Sequence, residues 1–424
     1  MSIRLPLLTA LSLAIATSAP AADWTQFRGS DGQGVSLEKG LPSSWSQEEG
    51  LIWKSALPGP GASSPVISGD KVFVTCFRGY GVDSKAIGKL SDLERVLVCI
   101  SRKSGSLLWQ VGVKAKSSED QYDRMLATHG YSSSTPATDG ERVYVLFGKS
   151  GVLAYDMEGK PLWQADVGDG SAMMGWGSAC SPILYKDLLI VNAAAESQAL
   201  VAFNKVTGKK VWESPAKSLS GCWGTPVLVD VPGGKQELVL SVPYEVWGFN
   251  PDDGSFLWFA EGVQEQAICT SVVAKDGVVY AVGGRSGGAV AIKAGGKDDV
   301  TKTHTLWRKN VGSYVTSPVV FGEHLYWVSD KGIATCLKLS DGSEEYSERL
   351  GSSPQLYASP IVADGKIYAV TRNRGAFVLA AEPKFQLLST NSLGDTSTFN
   401  ASPAVVDGQI FLRSDKFLYC IGKK

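Results

Sequence analysis

The sequence predicts an all-β fold, an eight-bladed β-propeller of four-stranded blades whose ring is closed by a strand from near the N-terminus. Three observations carry this. A module that opens on Ser-Pro or Thr-Pro recurs along the chain, with eight openings in all. Successive openings are separated by 71, 46, 44, 45, 47, 42 and 43 residues, close to the length of one propeller blade. Within each module the apolar residues alternate at period two and are rich in Val, Ile, Tyr and Trp. Asp-Gly or Thr-Gly turns separate them, and glycine there tolerates the positive φ of a tight hairpin.

From the N-terminus, residues 1–22 read as a signal peptide. Arg4 is the positive end, residues 5–16 are the apolar run, and Ala19-Pro20-Ala21 is the small-x-small site, with cleavage expected near Ala21 or Ala22. The run is short beside the roughly 20 residues of a membrane span, and Pro6 interrupts it. The first cysteine is Cys76, so no lipid anchor is expected near the cleavage site. The expectation is a periplasmic or secreted protein. Residues 23–50 form an N-terminal extension that carries Trp24 and Phe27 without matching the repeat, and they read as a tether packed on the propeller. Residues 51–424 are the propeller.

The openings are Ser64-Pro65, Thr135-Pro136, Ser181-Pro182, Thr225-Pro226, Thr270-Ser271, Ser317-Pro318, Ser359-Pro360 and Ser402-Pro403, the fifth having lost its proline. Each module closes on an aromatic residue: Trp109, Trp163, Trp212, Trp258, Trp307 and Tyr346, with Leu387-Leu388 weaker. In the third module the strands are expected at 181–185, 188–192, 200–204 and 209–213. The eighth module stops at Cys420-Ile421-Gly422, after its third strand. Leu51-Ile52-Trp53 supplies the missing fourth strand and its tryptophan, which removes an open edge.

Lys and Arg number 41 against 42 Asp and Glu, so nothing in the charge balance favours a nucleic acid or an anionic membrane. Three histidines, His129, His304 and His324, lie too far apart in sequence for a helical zinc pair, and no metal site is assigned. Cys99, Cys336 and Cys420 fall at one equivalent strand position, where a small buried apolar residue serves. Export would allow a bridge, with Cys76–Cys99 or a pair from Cys180, Cys222 and Cys269 as the candidates.

In such a ring the links between blades and the loops between second and third strands share one face. The two longest insertions, residues 77–94 and about 114–129, both fall there, where long loops are most often functional. Tyr131, Trp176, Trp223, Gln266, Tyr314, Tyr357 and Phe399 stand shortly before seven of the openings and are expected to ring the channel mouth. The loops add Arg78, Lys149, Glu196, Glu245, Arg285, Arg372, Arg374 and Arg413, of which Arg285, Arg372 and Arg413 suit an anion. The competing reading has the aromatics only packing the tops of the inner strands. His129 and Tyr131, beside the second insertion, mark the preferred quarter. No G-x-S-x-G motif or Ser/His/Asp grouping occurs, and no catalytic residue is assigned.

The stretch from Ala202 to Trp212, AFNKVTGKKVW, resembles the tryptophan-docking motif A-x-D-x-x-T-G-x-x-x-W of pyrroloquinoline-quinone-type propeller repeats. Residues 99–109, 248–258 and 336–346 repeat it with substitutions, and 154–163 is one residue shorter. That family includes quinoprotein alcohol dehydrogenases and BamB-type outer-membrane assembly lipoproteins. The chain departs from both: it has no Cys-Cys pair, no recognisable calcium ligand set and no lipidated cysteine. The resemblance implies the fold. The leading functional expectation is a monomeric, non-catalytic binding or assembly scaffold that takes a protein partner or a small anionic ligand on its loop face. One alternative is a dehydrogenase using pyrroloquinoline quinone with calcium, and another is a carbohydrate- or cell-surface-binding propeller.

Overall fold

The computed structural model describes residues 23–83, 85–352 and 354–423; the signal-peptide reading of residues 1–22 lies outside them. Eight antiparallel sheets form the ring, each a meander of four short strands running from the central channel to the rim. Blade one is Val66–Ser68, Lys71–Arg78, Glu94–Ser101 and Leu107–Lys114. Blade three is Ile183–Tyr185, Leu188–Ala193, Ala199–Asn204 and Lys210–Pro215, within two residues of the expected bounds. Second and third strands are apolar on both faces, because each is packed between two neighbouring blades. Fourth strands alternate, with one face turned to solvent. Among the described residues no helix is long and apolar enough to cross a membrane.

Blade eight confirms the ring closure. Its strands Ala404–Val406, Gln409–Arg413 and Phe417–Ile421 are completed by Leu51–Ala56, with Trp53 opposite Cys420. Cys99 opposite Trp109 and Cys336 opposite Tyr346 hold the same rung in their blades, and all three thiols are fully buried.

The tryptophan repeat has a simple physical basis. Each indole lies against the glycine of the next blade's outer turn and donates Nε1–H to a carbonyl there. Trp53 reaches Arg102 O at 2.7 Å, Trp109 Met157 O at 3.0 Å, Trp163 Lys205 O at 3.1 Å, and Trp212 Pro251 O at 3.1 Å. A Cβ on Gly208, which has φ +70°, would come within 2.5 Å of Trp163, so the turn must carry glycine. Trp258 is the exception. The expanded outer turn of blade five places Asp298–Asp299 as a parallel fifth strand on blade four, and this indole donates to Glu237 Oε2 at 2.7 Å.

The openings perform a second task. Each Ser or Thr hydroxyl accepts the backbone N–H of the matching residue in the preceding blade. The chain of bonds runs Ser64, Thr135, Ser181, Thr225, Ser271, Ser317, Ser359, Ser402 and back to Ser64, at 2.9–3.0 Å throughout. This corrects the fifth opening by one residue: Ser271-Val272 is the equivalent pair, because the Ser271 hydroxyl takes the Thr225 N–H. The following proline is replaced by valine.

The N-terminal extension is more than a tether. Residues 24–36 cross the channel on the face opposite the long insertions. They bond Ile67 of blade one, Thr138 of blade two, Ala274 of blade five and Pro318 of blade six, and Val35–Ser36 pairs in parallel with Ile361–Ala363 of blade seven. Trp45 then stacks on Tyr368 at 6.3 Å.

Neither proposed disulfide forms; all seven cysteines are free. Cys76 pairs with Val96 and Cys99 with Phe73, so the two lie three rungs apart and point to opposite faces of the sheet. Cys180, Cys222 and Cys269 gather near the channel on three successive blades as separate thiols. Cys180 Sγ approaches Cys222 O at 3.7 Å, and Cys222 Sγ approaches Ser241 O at 3.2 Å.

Candidate functional site

The central channel holds a cavity of about 140 Å³, floored by Phe27 of the extension and belted by the eight opening hydroxyls. Trp176, Trp223 and Tyr357 line its mouth, with Met125 and His129 from the insertion after blade one. Trp176 and Trp223 are nearly buried, their ring centroids 4.9 Å apart, and Trp223 donates to Gly177 O at 2.9 Å. Two of the seven expected mouth residues therefore meet in one apolar pair. Tyr357 carries Arg372 on its face at 4.4 Å. Arg372 donates to Asn400 Oδ1 at 3.0 Å and belongs to the mouth.

The other expected residues lie elsewhere. Tyr131 is buried in a cluster with Phe77, Tyr80 and Tyr122, because the two insertions supply aromatic partners that no other blade has. Its hydroxyl donates to Asp120 O at 2.8 Å. Phe399 is buried against Tyr419 at 6.1 Å. Gln266 is exposed, and Cys269 lines the cavity on its blade. Tyr314 packs at the edge of the Trp176–Trp223 cluster, with Arg285 stacked on it at 4.7 Å. Arg413 is a correction. It is wholly buried between blades eight and one, donating to Ser63 O at 2.8 Å and approaching Cys76 Sγ at 3.5 Å, so it cannot take a ligand from the loop face.

The remaining loop charges all have partners, and Lys149, together with Arg95 of the third strand, fastens the insertion. Lys149 donates to Ser118 O at 2.7 Å and pairs with Asp120 at 3.0 Å, while Arg95 pairs with Glu119 at 2.7 Å and donates to Tyr131 O at 2.8 Å. Arg78 pairs with Glu94 at 2.6 Å. Arg374 donates to Ser352 O at 2.9 Å, and Glu245 accepts from Trp247 at 2.5 Å. Glu196 is buried, which pushes its pKa up, and it accepts from Ser178. Across the mouth, Arg372 and Asn400 both donate to Thr128 O, at 3.5 and 3.1 Å. The insertion thus reaches from blades one and two to blades seven and eight as a cover.

His129 fastens that cover to the link before blade three. Nε2 faces Trp176 O at 2.9 Å and must carry the proton, since a carbonyl only accepts; Nδ1 faces the Ser133 hydroxyl at 2.6 Å. Burial pushes its pKa below the usual 6.5, overcoming the opposing effect of the Trp176 carbonyl. At neutral pH both folded and unfolded forms are uncharged here. Below about pH 6.5 the unfolded chain takes up the proton first, so stability is lost as pH falls. His129→Gln is expected to show a smaller drop in Tm than the wild type between pH 7 and 5.5. Equal drops in paired thermal melts would remove His129 as the cause.

A tryptophan-docked propeller with one loop face built up by insertions and the channel crossed by its own N-terminal segment defines the class of protein. The family model described as outer membrane protein assembly factor BamB matches residues 47–220 and 93–348, and the chain belongs to that family. Among solved structures, BamB from Moraxella catarrhalis superposes with a TM-score of 0.61 at 12% identity, covering 88% of this chain and 97% of that one. The computationally designed Ika8 protein gives 0.58 at 13% identity, covering 87% and 99%. The quinohemoprotein alcohol dehydrogenase ADHIIG from Pseudomonas putida HK5 gives 0.50 at 13% identity, covering 95% and 80%. At these identities the likeness is one of fold. No curated protein matches the chain.

Proposed function

We propose that this chain is an exported, non-catalytic assembly scaffold that binds a protein partner on its loop face. The carrying observation is the set of large apolar side chains exposed there. Val82 and Ile87 in the first insertion, Met174 in the link to blade three and Tyr244 in blade four are 51, 39, 55 and 45% exposed. Met174 and Tyr244 also hold φ of +65° and +70°, a conformation that costs a bulky residue energy and gathers at functional sites. Exposed apolar side chains on the loop face offer a protein partner its points of contact. Membership of a family described as an outer membrane assembly factor supports the same reading.

The quinone alternative fares worse on the donors present. Calcium takes six to eight oxygen ligands, yet the residues lining the channel include no carboxylate. Their one side-chain amide, Asn400, is engaged by Arg372 and Thr128. This set does not fit a calcium–quinone pair. Sugar binding needs an open aromatic face, and Trp176 and Trp223 are only 6 and 7% exposed.

Photo-crosslinking in the native cell tests the scaffold reading. Probes replacing Met174 and Tyr244 are expected to give one discrete protein adduct each, of the same partner. A probe at Val206, equally exposed on the opposite face, should give none. No adduct at either loop-face position, or the same adduct at Val206, overturns the reading.

A further inference from the structure

The eight opening hydroxyls are each used only as acceptors. All are at least 94% buried and all line the channel cavity, yet among the described residues none donates its own proton to an acceptor. A buried donor left unmet is costly, and native structures rarely leave several together without a partner. Eight such donors therefore face one small space.

The local charge has the same sign. Arg28 follows Phe27, the floor of the cavity, and is wholly buried. Nη2 donates to Pro318 O, beside Ser317 of the belt, and to Gln33 O at 3.3 Å, while Nε and Nη1 have no partner. Arg413, buried between blades eight and one, donates to Ser63 O at 2.8 Å, beside Ser64 of the belt. Neither guanidinium has a carboxylate in contact; Asp31 and Asp415 act on them only from a distance. Uncompensated buried charge is retained only when something offsets it. Above the belt, Trp176, Trp223, Met125, Val315 and Cys269 give an apolar part of the wall, beside the polar His129, Ser133, Tyr357 and Asn400.

We propose that the channel binds a small organic monocarboxylate, its carboxylate oxygens accepting from neighbouring belt hydroxyls and its apolar body lying against Trp176 and Trp223. The carboxylate supplies the acceptors that the belt lacks and the negative charge that Arg28 and Arg413 lack. The apolar wall distinguishes such a ligand from a bare halide. This site is separate from the exposed face assigned to a protein partner, and either assignment stands without the other.

The probes are acetate, propionate and benzoate, each titrated against chloride at constant ionic strength and constant pH, with thermal melts and calorimetry as readouts. A saturating rise in Tm of about 2–4 °C is expected, larger for benzoate than for acetate and absent for chloride. Ser359→Ala and Arg28→Met should weaken binding at least tenfold. In crystals soaked with 4-bromobenzoate, the anomalous bromine signal should fall inside the channel, against the Trp176–Trp223 pair. An equal saturating effect of chloride would overturn the carboxylate class. Melts independent of the anion, or bromine found only outside the channel, would overturn the site. If the variants fail to fold, the wild-type titration and the bromine map decide alone.

Discussion

Trp53→Ala is expected to lower stability by about 3–5 kcal/mol, the range for deleting a large buried aromatic, and to open the ring. Trp53 is 9% exposed, packs on Phe411 at 6.0 Å, and donates Nε1–H to Arg102 O of blade one at 2.7 Å. It lies so close to Gly105 that a Cβ there would fall 2.7 Å from the indole. What sets it apart from the other docking tryptophans is its strand. Leu51–Ala56 comes from the N-terminal side, while its neighbour Phe417–Ile421 is at the C-terminal end. Trp163→Ala weakens a contact between blades that remain joined by the chain. Trp53→Ala weakens the contact that joins the two ends. Urea unfolding should show the loss, and limited proteolysis should release residues before blade one sooner in Trp53→Ala than in Trp163→Ala. A Trp53→Ala unfolding free energy within about 0.5 kcal/mol of wild type, the range of an ordinary surface substitution, would contradict this account.

Arg95→Ala is expected to cost about 3–5 kcal/mol, because it strands a buried partner. The side chains of Arg95 and Glu119 are each 4% exposed and meet at 2.7 Å; Arg95 also holds Tyr131 O at 2.8 Å. With arginine gone, Glu119 is a carboxylate in a closed pocket with Asp120 and Glu196 nearby. The insertion should detach, so backbone amides at 115–130 would exchange faster with deuterium than the blade strands do. The double variant Arg95→Met, Glu119→Leu removes both charges and should recover much of the loss, as replacement of buried pairs by apolar groups often does. Unchanged exchange in Arg95→Ala would show that the insertion is held by its other bonds, from Lys149 and Asn400.

The loop-face charges show where sequence reasoning stops. Arg78, Lys149, Glu196 and Arg413 stand at or just beyond the ends of their second strands, and that placement says nothing of their partners. Lys149 is drawn to Asp120 and Arg95 to Glu119 only because residues 115–130 fold back over blade two. Tyr131 and Trp176 precede their openings in comparable positions. Tyr131 is nonetheless turned into the Phe77–Tyr80–Tyr122 cluster, while Trp176 faces Trp223. The belt hydroxyls were visible as markers of the repeat. That all eight line one cavity follows only from setting eight blades around one axis.

What the sequence by itself determined is the repeating part: the number of blades, the four strands of each, the docking tryptophans and the ring-closing Leu51–Ala56 strand. These rest on alternation at period two, glycine turns and a regular spacing, which are local properties repeated often enough to read in register. Only the tertiary structure decided which face is covered, where Arg413 and Tyr131 point, that the fifth opening is Ser271-Val272, and that residues 24–36 cross the channel. Each of these depends on a contact between segments far apart in the chain, such as Arg28 with Pro318 or Thr128 with Asn400. Such contacts leave no periodic trace, because a non-repeating segment finds its partners through the shape and unmet hydrogen-bonding groups of a ring that has already closed.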